Sequence, residues 1–227
     1  MPVKDSPETT ERAVRAITGN GDTLTIYNDF STPDNTARLE ALAQETGSRL
    51  IHLSDLTDHA SPNYRLVLQH AQKQALDSGQ DLIIVESDVI IRPDTIKRLL
   101  RAAYDNPRAG LVAAVTTDEN GQVNFPYLYA KKWDKGCIDT GKRLSFCCTL
   151  LTNGFLNAFD FDSLDPRKDW YDVFLSHKSR ELGFRNLLLT DTPVLHLPHS
   201  SRPWKRLKYT NPLLYYWRKL IHRKDRI

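Results

Sequence analysis

The sequence predicts an α/β domain with a mostly parallel sheet flanked by helices. Three observations predict it. Strand-like and helix-like segments alternate between residues 7 and 116, the order that parallel strands joined by helical crossovers require. The run Leu82-Ile83-Ile84-Val85 is short, apolar and continuous, as a strand buried on both faces is. The chain has 227 residues, 40% hydrophobic and 26% charged. That suits one good-sized domain, or two small ones without linkers, and not a disordered chain.

The elements follow in order. Ser6-Pro7 sets a cap and a proline at the first helical position, and Ala13, Val14 and Ile17 form one stripe, so residues 7–17 read as a helix. Thr23 to Tyr27 alternates as a strand does, and residues 28–35 form a turn-rich loop. Residues 36–46 read as a helix closed by Gly47, and 49–53 as a strand. A polar loop leads to a helix over 64–77, closed by Ser78-Gly79. A strand over 81–85, a helix over 93–104 and a strand over 110–116 complete the regular part. Residues 121–145 are irregular and rich in aromatics and Lys; 144–151 is largely apolar. A helix over 170–182 ends at Gly183, and a short strand covers 186–189. From Leu195 onward a loop and then a tail are expected.

Several classes are excluded. The apolar runs are too short to cross a bilayer as a helix, and no charged start leads into an apolar signal core. The three cysteines, Cys137, Cys147 and Cys148, make no disulfide framework and suit a reducing compartment. Cys147 and Cys148 lie in an apolar run and are expected to be packing residues. Net charge is +3, yet residues 201–227 hold nine Lys/Arg against one acid. Residues 1–200 therefore carry −5, which argues against a nucleic-acid partner.

The sharpest signal follows the buried strand. Glu86-Ser87-Asp88 places two carboxylates where open α/β sheets bind ligands, beyond a strand's C-terminal end. Such a pair suits a hard divalent cation bridging to a diphosphate. An isolated acidic loop has a blander reading, as solvated surface.

The surroundings carry a resemblance. Upstream, Tyr27-Asn28-Asp29-Phe30-Ser31-Thr32 resembles a "V-D-D-G-S-T" loop. Pro2-Val3-Lys4-Asp5 resembles "P-V-Y-N". Asn63 matches the Asn of an "N-x-G" segment, with Arg65 for its glycine and Ala71 for a second Asn. Downstream, Tyr171-Asp172-Val173-Phe174-Leu175-Ser176 and Arg180-Glu181-Leu182-Gly183-Phe184 resemble "E-D-V-D-L-S…R-E-L-G-Y", with Tyr171 and Phe174 in place of acids. In this order and spacing, over residues 2–200, the chain resembles the family 2 glycosyltransferases of GT-A fold.

The resemblance implies a single GT-A domain over 1–200 with a Rossmann-like sheet. Residues 1–120 would be its nucleotide-binding half and 121–200 its acceptor half, followed by the basic aromatic tail 201–227. It implies that Pro2, Val3, Asp5, Asp29, Asn63, Glu86 and Ser87 line a nucleotide-sugar donor. Asp88 and His196 would hold Mg2+ or Mn2+, with His199 as a rival to His196. Asp172 would be the base for a glycan or lipid-linked acceptor, with inversion at the anomeric carbon and a role in cell-surface glycan synthesis. Asp172 also suits the first turn of a helix as a plain dipole partner. The family carries an apolar strand before "P-V-Y-N", whereas here Met1 directly precedes Pro2. A start upstream of Met1 is therefore expected, since a missing inner strand leaves backbone groups unpaired.

Two readings of the tail stay open. Trp204, Tyr209, Tyr215, Tyr216 and Trp217 among basic residues suit an anionic membrane surface, which would make a cytoplasmic protein peripheral on the inner face of the cell membrane. Leu213, Leu214, Trp217, Leu220 and Ile221 equally suit one face of a C-terminal helix packed on the domain. The rival to an enzyme is a non-catalytic member of the fold that binds a nucleotide sugar or a partner. A nucleotidyltransferase would want a Gly-rich phosphate loop, which residues 2–20 lack.

Overall fold

The computed structural model describes residues 1–168 and 170–197, with Leu213, Leu214 and Trp217. Strand β1 (Pro2–Val3) leads to α1 (Pro7–Thr18), β2 (Thr25–Asn28), α2 (Pro33–Thr46), β3 (Arg49–His52) and α3 (Tyr64–Asp77). Then come β4 (Leu82–Val85), β5 (Val89–Ile90), α4 (Thr95–Tyr104) and β6 (Ala109–Thr117). The chain continues through β7 (Cys137–Asp139), β8 (Cys148–Leu151), α5 (Asn153–Ala158), α6 (Tyr171–Glu181) and β9 (Arg185–His196).

Local chemistry explains the ends. Pro7 and Pro33 each open a helix, because the first turn has no use for their missing N–H. That is why α2 starts at Pro33 and not at Thr36. Gly47 closes α2 at φ +68°, a left-handed cap that glycine adopts without strain.

Strands β1, β2 and β3 form a parallel sheet. The larger sheet runs β4-β8-β6-β9-β5, with β7 on β9. Antiparallel β8 lies between β4 and β6, and β9 is parallel to β6, so β4, β6 and β9 share one direction. The short strands β5 and β7 run against β9. The expected α/β class with a mostly parallel sheet is observed, with β8 inserted.

Every residue of β6 is buried. Its Val112 and Ala114 pack with Val14 of α1, Leu39 of α2 and Leu99 of α4. Its Leu111, Ala113 and Val115 pack on the other face with Leu68 of α3, Phe155 of α5 and Leu175 of α6. This period-two division puts helices on both faces of the sheet.

At Gly110 a β-carbon would lie 2.3 Å from Ser179 Oγ and 2.7 Å from Phe184 Cβ. Gly110→Ala is expected to cost about 1–3 kcal/mol through overpacking. A melting curve checks it; an unchanged midpoint would contradict the close approach of α6 to β6.

Two sequence expectations need correction, and the apolar run 144–151, left unassigned by the sequence, pairs in the sheet only over Cys148–Leu151. The last strand reaches from Arg185 to His196, so the loop expected from Leu195 begins later. The irregular segment holds β7. No helix among the described residues is long and apolar enough to cross a membrane. Leu213 and Trp217 are exposed and Leu214 is half-buried, and the other tail expectations, with His199, lie outside the described residues.

Candidate active site

Two loop clusters sit at the strand ends. In the first, β1 and β2 run parallel, so the residues after them meet. The amide of Asp29 donates to the carbonyl of Val3 (2.8 Å). Asp5 accepts from the Thr32 amide (2.8 Å) and from Asn35 Nδ2 (3.0 Å). Burial pushes the Asp5 carboxyl up, but those donors and Lys4 outweigh it and hold the group below its ordinary value. Asp5 and Phe30 both have positive φ, +46° and +58°. For Phe30 that is a strained conformation of the kind that gathers at ligand-binding loops.

Asp29 is buried and accepts three hydrogen bonds. They come from Ser61 Oγ (2.7 Å), the Asn63 amide (3.0 Å) and Asn63 Nδ2 (2.8 Å). The structure thus brings Asp29 and Asn63 together, and ties the loop before α3 to the end of β2. Removing one partner of a buried carboxylate costs its desolvation. Asn63→Ala is therefore expected to lose about 1–3 kcal/mol, read by denaturant unfolding. A variant as stable as the parent would show that Asn63 holds no structural load there.

The second cluster arises from register. Val85, the last residue of β4, pairs with Cys148, the first of β8. The Glu86 amide consequently donates to the Cys147 carbonyl (3.0 Å). Val89 of β5 pairs with His196, the last residue of β9. Three strand ends thus deliver Glu86, Cys147 and His196 to one point, with ligand atoms all within 4.8 Å of one another. Cys147 Sγ donates to Glu86 Oε2 (3.3 Å), and Asp88 Oδ2 lies 3.6 Å from His196 Nε2. Ser87, also buried, turns away and shares a hydrogen bond with Ser6.

The His196 ring is oriented from behind. Its Nδ1 lies 2.7 Å from the Phe125 carbonyl, which can only accept, so Nδ1 carries a proton and Nε2 is turned toward Asp88. Metal-ligating histidines are held in this way. Burial would lower the His196 value, but Asp88, Glu86 and the Phe125 carbonyl together raise it. Cys147 and Cys148 are buried in the core, as expected, and the Cys147 thiol in addition donates to Glu86 at the core's edge. Burial and Glu86 push that thiol well above its ordinary value.

Asp172 lies in the first turn of α6 and accepts from the Val173 amide (2.8 Å). The helix-terminus reading and a site reading both fit that position. Its surface is partly accessible. Burial raises its value; the Arg143 guanidinium and the Val173 amide oppose this, while the Glu86 carboxylate adds to it. Asp172 therefore feels the cluster at the strand ends.

Sequence reasoning missed Cys147 and Arg143. Arg143 is flanked by the rings of Phe125 (5.8 Å to the centroid) and Trp170 (5.9 Å). A basic residue immediately before the apolar run 144–151 was the available signal.

No protein-family model matches the chain, and no curated protein matches its sequence. Solved structures do match. A mannosyltransferase from Pyrobaculum calidifontis in complex with GDP-Man and Mn2+ is 14% identical, with a TM-score of 0.62 over 97% of this chain. This chain spans 62% of that one. A mycobacterial protein is 15% identical (TM-score 0.59; 88% of this chain, 67% of that one). Glucosyl-3-phosphoglycerate synthase from Mycobacterium tuberculosis, in complex with phosphoglyceric acid, is 17% identical (TM-score 0.56; 91% and 72%). The α/β fold with helices around a mostly parallel sheet is thus the fold of glycosyltransferases of GT-A type.

Proposed function

We propose that the protein is an inverting family 2 glycosyltransferase. It would move a sugar from a nucleotide diphosphate sugar to a hydroxyl of a glycan or lipid-linked acceptor, in cell-surface glycan synthesis. The observation that carries this reading is Asp172, a partly accessible carboxyl with a raised value beside the Glu86–Asp88–His196 cluster. We read residues 1–120 as the donor half and 121–200 as the acceptor half.

The donor set fits a divalent cation. Two carboxylates and an imidazole with its Nε2 presented suit Mn2+ or Mg2+. Asp88 and His196 are the proposed ligands, with Glu86 beside them. A bound cation supplies neutralisation of the diphosphate charge as the leaving group departs. The remaining work belongs to side chains. Asp172 accepts the proton of the acceptor hydroxyl as that oxygen attacks the anomeric carbon. Attack opposite the leaving group inverts the centre, and no protein nucleophile is needed. The loops of Asp5, Asp29 and Asn63, preorganised by their own hydrogen bonds, are read as the nucleoside site, with Pro2, Val3 and Ser87 as its backbone and floor.

The test is a panel of nucleotide sugars with Mn2+ or Mg2+, followed by release of nucleoside diphosphate. Metal-dependent release from one donor supports the reading and names the donor. Thermal stabilisation by a nucleotide without release from any donor would favour the non-catalytic alternative. A folded protein that neither binds nor hydrolyses any donor would overturn both.

A further inference from the structure

The Arg143 guanidinium is a charged group that acts on Asp172 and that the proposed reaction leaves unused. It is half-buried and flanked by the Phe125 and Trp170 rings at 5.8 and 5.9 Å. These contacts suit its delocalised charge and fix the plane of its donors. Among the described residues its guanidinium makes no hydrogen bond and no ion pair. It acts on Asp172 electrostatically without closing onto it.

The backbone beneath it is pinned. Tyr129 Oη donates to the Arg143 carbonyl (2.7 Å), and Ser176 Oγ accepts from the Leu144 amide (2.9 Å). Leu144 itself is fully buried. The carbonyl of Phe125 holds His196 while its ring flanks Arg143, so one residue borders both ends of the site. A guanidinium so mounted, whose donors are unused among the described residues, is built to receive an oxyanion in a bidentate fork.

We propose that Arg143 is the anion-binding residue of the acceptor subsite and takes a phosphate group carried by the acceptor. This rests on the reading of Asp172 as the base that faces the acceptor. An anionic group held at Arg143 would place a neighbouring acceptor hydroxyl at Asp172, and would oppose the effect of the guanidinium on that carboxyl.

Calorimetric titration with inorganic phosphate tests it, in the whole chain, alone and with saturating nucleoside diphosphate and Mg2+. Phosphate is expected to bind in both conditions, and at least about tenfold more weakly to Arg143→Met, which keeps the stem but loses the fork. Arg143→Lys retains charge without the planar donors and is expected to fall between; it also serves if the Met variant fails to fold. Phosphate binding that nucleoside diphosphate abolishes would assign Arg143 to the donor's diphosphate and overturn the acceptor assignment. Equal binding by parent and variants, or none by the parent, would overturn the subsite altogether. Asp172→Asn is expected to retain phosphate binding. If that variant also keeps full transferase activity, the reading of the base fails while the phosphate titration still decides the subsite.

Discussion

Asp172→Asn is expected to lower turnover by roughly 10²–10⁴-fold, the range that a positioned general base contributes. The substitution is close to isosteric. Asn Oδ1 can still accept from the Val173 amide, so the start of α6 is retained. What is lost is the ability to take a proton. Donor affinity should therefore stay near that of the parent, and the loss should fall on kcat. The pH dependence carries the same signature. The Asp172 value is raised because burial outweighs Arg143 and the Val173 amide. Activity is expected to fall on the acid side at a pH above that of an ordinary carboxylate, as the base becomes protonated.

Stability has the opposite sign. A carboxyl whose folded value is raised holds its proton more tightly in the folded chain. Stability is therefore lost as pH rises from the unfolded value to the folded one, and stays lower above it. Asn removes that cost. At neutral pH the variant is expected to be at least as stable as the parent, with a melting curve as the check. An inactive variant that is also much less stable would make Asp172 a structural residue of α6 and not a base.

Asp88→Asn is the second large effect. Asp88 is buried, its carbonyl accepts from the Leu197 amide (2.9 Å), and its carboxylate faces His196 Nε2. The substitution keeps the shape and the backbone bond but removes the charge. Loss of an outer partner at metal sites costs about 10–100-fold in affinity, and loss of a ligand is expected to exceed that. Mn2+ titration of parent and variant reads it directly. Release of nucleoside diphosphate should become undetectable at metal concentrations that saturate the parent. Unchanged Mn2+ affinity would move the ion to Glu86, Cys147 and His196 without Asp88.

Most of the fold was legible because periodicity and punctuation agree. Pro7, Gly47 and the apolar run 82–85 each fix an element by local chemistry, whereas the start of α2 at Pro33 was hidden in a stretch read as loop. Strand β8 was not legible as such. A continuous apolar run cannot tell a buried strand from a helix segment, and only pairing with β4 and β6 decides that it starts at Cys148. The full length of β9 was hidden by Pro193 and by a register shift opposite Ala114 and Val115, which interrupt the alternation.

The site divides in the same way. Glu86 and Asp88 stand out because they directly follow a strand, and Asp172 because it opens a helix. Cys147 meets Glu86 only through the β4–β8 register, a long-range pairing that no local pattern encodes. Arg143 acts on Asp172 electrostatically from an irregular segment, where neither period exists to say which way a side chain points.

The central claim is that Asp172 acts as the base of a single displacement at this cluster. The most direct measurement is the anomeric configuration of the transferred sugar, by proton NMR of the first product formed from the active donor. Inversion relative to the donor, with product formation by Asp172→Asn slowed by roughly 10²–10⁴-fold, is the expected result. Retention of configuration, or full product formation by the variant, would contradict it.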